Sequence, residues 1–182
     1  MARIAEKNLR FREKSEMIAD LSKILQMDIH YGTKYAVLDE IAWVWTEFYG
    51  KYIGCPYWSE EALKKFEDEE ITKVDVCNKV FRHEHSVPRK VILKHLLNIN
   101  EVNEEYIHKI FENTLVGVVL TKDEDAELSN NLKDKMPNYL ASKELDKYDE
   151  VDKWARYKEK GILIYKVEWE NRKIKSKELI RY

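Results

Sequence analysis

Apolar and polar positions along the chain alternate at two different spacings, and the spacing changes several times. From Ile4 to Met27 the apolar residues Ile4, Leu9, Ile18, Leu21, Ile24 and Leu25 recur at roughly helical intervals with charges between them. His30-Tyr31-Gly32-Thr33 reads as the break. From Lys34 to Phe48 the residues Val37, Leu38, Ile41, Ala42, Val44, Trp45 and Phe48 cover most of a helix circumference. A helix apolar nearly all round is a buried one. Trp43 and Trp45 must face different neighbours on it.

Tyr49 to Trp58 holds two glycines, one proline and several large rings, which reads as an aromatic loop. Its rings either fold back over the core or form a platform for a partner or a base. Ser59 caps a short helix over Glu60–Phe66, ahead of the solvated acidic run 67–70. Val74, Val76, Asn78 and Val80 alternate as in a strand, or as an irregular entry to the run Arg82–Lys90. Pro88 opens a helix reaching Leu97, and Val102–Glu112 reads as another. Leu115–Leu120 is short, apolar and rich in valine, the best strand candidate. Thr121-Lys122-Asp123-Glu124 is a capping box, so a helix should come directly after it. The stretch 130–152 is polar and reads as a loop with one weak helix. Ile162–Trp169 gives a second strand, and the basic tail Arg172–Tyr182 reads as helical.

These elements predict a mainly α fold with a small β component (α+β): a compact helical domain carrying a short two- or three-stranded sheet. One domain covers 1–182. It comprises an N-terminal helix (1–30), a core helix and aromatic loop (31–58), a central region (73–135), and a C-terminal strand with a basic tail (150–182). Few breakers, 5 Gly and 3 Pro, and 36% charged residues agree with amphipathic helices. The 32 basic and 34 acidic side chains give a net charge of −2, with no global pull towards nucleic acid. No apolar run approaches the roughly 20 residues a bilayer needs, and the opening residues lack a compact apolar leader. A cytoplasmic protein that does not enter membranes is expected. Cys55 and Cys77 read as buried thiols rather than a disulfide framework.

The sharpest chemistry is Arg82-His83-Glu84-His85-Ser86-Val87-Pro88-Arg89-Lys90. Imidazoles bind metal or move protons near neutral pH. In extended backbone His83 and His85 share a face and Glu84 opposes them; in a turn all three converge. The spacing differs from the helical zinc-protease motif, whose histidines lie four apart. As polar capping ahead of a helix, the run needs no catalytic role. Cys55, Cys77, His83 and His85 have the side-chain types of a structural zinc site, without its tight cysteine pairing.

Glu84-His85-Ser86-Val87-Pro88 resembles the opening of the HNH nuclease motif. That resemblance implies a metal-dependent nuclease, active or degenerate, acting on nucleic acid phosphodiesters. It implies His85 as general base and Asn113 orienting it. It implies His83, Glu84 and Asp125 as ligands of a divalent cation, Mg²⁺ or Mn²⁺ rather than Zn²⁺. Arg82, Arg89 and Lys90 would meet phosphates. Leu115–Leu120 and the helix after Thr121 would be the motif's strand and helix. The rival reading is a non-enzymatic regulator or inhibitor that binds a protein partner, of the kind phage and mobile elements encode.

Overall fold

A computed structural model describes residues 12–68, 71, 74–137 and 151–182. Eight helices are present among these residues: α1 (Lys14–Gln26), α2 (Tyr31–Thr46), α3 (Glu60–Asp68), α4 (Val74–Val80), α5 (Arg89–Leu97), α6 (Glu104–Thr114), α7 (Lys122–Leu132) and α8 (Ala155–Lys160). Five strands, β1 (Tyr57–Ser59), β2 (Phe81–His85), β3 (Gly117–Thr121), β4 (Ile164–Glu170) and β5 (Lys173–Leu179), form one sheet in the order β2-β3-β1-β4-β5. Only the β1–β3 pair is parallel; the other neighbours are antiparallel.

This is an α+β fold, but the sheet is larger than the expected two or three strands. The alternation at 74–80 forms helix α4, and the strand begins at Phe81 instead. The tail expected to be helical is β5, paired to β4. Trp58, at the end of the aromatic loop, is the middle residue of β1. The expected N-terminal helix before residue 12 and most of the expected weak helix at 130–152 lie outside the described residues.

The core has three parts. Helices α1, α2, α5 and α6 bury Leu21, Leu38, Ile41, Trp45, Ile92, Leu96, Ile110 and Phe111 among themselves. One face of the sheet, with Trp58, Phe81, Val119 and Val167, packs against α3 and Cys77 of α4. The other face, with Val118, Leu120 and Ile164, packs against Leu128 of α7 and Tyr157 of α8. The apolar run in β3 is buried on both faces, which is why it shows no alternation. Trp43 and Trp45 part company as the helix period requires: Trp45 stacks edge-on to Phe111, and Trp43 to His85. The capping box closes α7 from both sides. The Glu124 amide donates to Thr121 Oγ1 at 3.2 Å, and the Thr121 amide to Glu124 Oε2 at 2.9 Å. No helix among the described residues is long and apolar enough to cross a membrane.

Candidate functional site

Strand β2 sorts the His-Glu-His run by the two-residue period of extended backbone. It pairs antiparallel with β3, setting His83 opposite Val119, Glu84 opposite Val118 and His85 opposite Gly117. His83 and His85 therefore share the face of Phe81 and Val119, and Glu84 takes the face of Val118 and Leu120. The alternative in which all three converge in a turn is not the one adopted.

Both imidazoles are buried beneath the C-terminal end of α2. The rings lie 5.7 Å apart by centroid. His83 Nδ1 is 2.7 Å from the Lys51 carbonyl oxygen, which can only accept. The proton thus sits on Nδ1, and Nε2 carries a lone pair. That Nε2 is buried without a partner, pressed against Gly117. His85 Nε2 lies 3.2 Å from Thr46 Oγ1 of α2. Trp43 closes the site, edge-on to His85 at 4.7 Å. The Arg89 guanidinium lies 4.0 Å over that indole and 3.2 Å from Asp39. Burial pushes His83 down to about 4. Burial also pushes His85 well below its ordinary value, helped by His83, Arg89 and Arg156. Both rings are neutral at pH 7, as an enclosed pair beside an arginine must be.

On the opposite face Glu84 meets Arg156, the most buried charged side chain among the described residues. Arg156 Nη1 donates to Glu84 Oε1 at 2.9 Å and to the His85 carbonyl at 2.7 Å. One guanidinium thus ties α8 to both side chain and backbone of β2. Burial raises the Glu84 carboxyl against the pull of Arg156, and Asp125 of α7 raises it further. Asp125 is itself raised by burial and lowered by Arg82 and Arg156.

The expected residues are therefore divided. Glu84 and Asp125 are close enough to feel each other's charge. His83 and His85 lie across the sheet from them. Asn113, on α6, makes no hydrogen bond to His85; Thr46 holds that place. Arg89 stacks on Trp43, and Lys90 Nζ donates to Asp134 at 2.9 Å, so each has an intramolecular partner where phosphate was expected. Arg82 is exposed, its Nη1 donating to the Phe81 carbonyl at 3.1 Å.

The donor set does not suit a divalent cation. Glu84 is already bonded to a guanidinium, the charges of Arg82 and Arg156 act on Asp125, and His83 Nε2 is buried close to Gly117. Among the described residues no group of three or more His, Cys, Asp or Glu is arranged to hold a metal. The zinc alternative meets the same difficulty. Cys55 Sγ sits 3.5 Å from the Gly117 carbonyl and 3.6 Å from that of Tyr57, burial pushes its thiol up to about 12, and it forms no such group with Cys77, His83 and His85.

Sequence reasoning missed Arg156, Thr46 and Gly117, which define these surroundings. Only Gly117 left a signal, as a glycine inside an apolar strand, which marks a close approach. Comparison with protein-family models, with curated proteins and with solved structures found nothing that matches this chain.

Proposed function

We propose that this chain is a non-enzymatic binding protein, a cytoplasmic regulator or inhibitor rather than a working nuclease. One observation carries the reading: the His85 ring and the Asp125 carboxylate lie on opposite faces of the same sheet. A base and a metal ligand must reach one phosphate from one side, and here a hydrogen-bonded layer separates them. Two further points support it. The Glu84 carboxylate is held by Arg156, so the run behaves as a structural tie between β2, α2 and α8. The rings of the aromatic loop face inward: Tyr52 and Trp58 are buried, and Tyr49 and Tyr57 are half-buried against the core. That removes the loop as a docking platform, whereas the β4–β5 ribbon presents an exposed, charged surface.

The test is cleavage. Purified protein and its His85→Ala variant, with plasmid DNA and with RNA in Mg²⁺, Mn²⁺ or Ni²⁺, should leave both substrates intact. Metal-dependent cutting by the wild type that vanishes in His85→Ala would overturn the binding reading and restore the nuclease.

A further inference from the structure

The β4–β5 ribbon carries a charge that the whole chain does not. Residues 164–182 hold Lys166, Arg172, Lys173, Lys175, Lys177 and Arg181 against Glu168, Glu170 and Glu178. All six cationic side chains are exposed. Lys175 reaches Glu170 at 3.7 Å, and Lys177 reaches Glu67 at 2.8 Å. Lys166, Arg172, Lys173 and Arg181 have no carboxylate within ion-pair distance among the described residues.

The tip of the ribbon points the same way. Glu170 pairs with Lys173, leaving a two-residue turn of Asn171 at φ 49° and Arg172 at φ 64°. Both lie in the left-handed region, where Asn and Gly are the favoured residues. A residue with a Cβ is strained there, because the Cβ crowds the following carbonyl oxygen. An arginine in that place sets an exposed guanidinium on the turn that joins β4 to β5, at a cost in stability.

The edge of the ribbon does not suit strand addition. The pairing steps from Glu168–Ser176 to Trp169–Ile174, so Lys175 is an extra residue in β5. Bulges and edge lysines both hinder a further strand from pairing. An extended acidic peptide is thus a poor fit. A phosphate backbone needs spaced cations, not a free ladder of backbone groups, and the major groove of duplex DNA admits a two-stranded β-ribbon.

We infer that the β4–β5 ribbon, with the residues directly after it, is a DNA-binding arm, contacting the phosphates of duplex DNA through Lys166, Arg172 and Lys173 of the ribbon and Arg181 beyond β5. This rests on the binding reading above and names the class of partner. Fluorescence anisotropy of a labelled DNA duplex with the full chain tests it across a salt series. Binding should weaken as salt rises, by counterion release. The triple variant Arg172→Ala/Lys173→Ala/Arg181→Ala should bind at least about tenfold more weakly. Its slope of log affinity against log salt should fall by about three, one for each lost phosphate contact. Lys94→Ala/Lys122→Ala, equally exposed but off the ribbon, should bind as the wild type does. Circular dichroism confirms that each variant is folded. No binding at low salt overturns the inference, as does a triple variant that binds like the wild type. Equal affinity for an RNA duplex or for polyglutamate also overturns it. A ribbon-dependent complex with a protein, without DNA binding, sinks this inference alone; cleavage that needs His85 sinks the binding reading beneath it.

Discussion

The His83 ring occupies the space where a side chain at Gly117 would begin: a Cβ there would stand 2.5 Å from both Nε2 and Cε1 of the imidazole, and 3.2 Å from the Thr46 carbonyl oxygen. Glycine at this position is a packing requirement of the two strands, since its backbone is ordinary extended strand. Gly117→Ala should therefore destabilise the protein by about 1–3 kcal/mol, the usual range for overpacking a filled core. Urea denaturation measures it. In a His83→Ala background the same change should cost much less, and full additivity of the two would show that ring and glycine do not meet.

Acid should weaken the fold through the two histidines. In the unfolded chain each titrates near 6.5; in the fold His83 titrates near 4 and His85 well below 6.5. Below the unfolded value the unfolded chain binds protons that the folded chain refuses, so stability is full above about pH 6.5 and falls as pH drops towards 4. For His83 alone the full loss is roughly 3 kcal/mol. Glu84, raised in the fold, has the opposite sign and loses stability as pH rises through its folded value. Denaturation midpoints measured from about pH 7.5 down to about pH 4.5 should slope down in the wild type. They should slope less in His83→Gln, and an identical slope would refute the assignment.

The Glu84–Arg156 pair makes a different demand. Arg156→Leu leaves a largely buried carboxylate without its cation and strips a donor from the His85 carbonyl. Loss of about 3 kcal/mol is expected, as for other broken buried pairs. Glu84→Gln should also destabilise, because it strands the guanidinium. The double variant should be more stable than the sum of the two losses predicts, and simple additivity would mean that the pair contributes nothing as a pair.

Arg172→Gly should move stability and binding in opposite directions. Glycine adopts φ 64° without strain, so the turn should gain about 1 kcal/mol. The same change removes a cation from the ribbon and should weaken DNA binding. Thermal melting and anisotropy on one preparation report both, and a variant that improves in neither would show that the turn is not strained.

Much of the helical half was legible because its signals are local. The all-round apolar run of α2, the Pro88 start of α5 and the Thr121–Glu124 box each declare themselves within a few residues. The strands were harder. β1 hides among glycines and a proline, since three residues leave no period to read. β5 reads as charge because exposure on an edge removes the apolar alternation that marks a strand. The alternation at Val74–Val80, legible as a strand or as an irregular entry, forms helix instead, and its Cys77 is buried in the same cluster as Phe81. At the site, alternation placed His83 and His85 on one side and Glu84 on the other. Which face α7 would choose, and hence where Asp125 would lie, depends on Leu128 meeting Val118 and Leu120, a long-range match no local pattern encodes.

The shortest strand is also the central one. β1 is wedged between β3 and β4, and Trp58 meets Val119 on one side and Tyr165 on the other. A ribosome releases Trp58 long before it makes Tyr165, so the emerging polypeptide holds a half-sheathed indole until the β4–β5 hairpin arrives. Loss of that hairpin by proteolysis or a premature stop would uncover the middle of the sheet rather than trim its border. Quality control would meet a sticky fragment, not a slightly shortened protein.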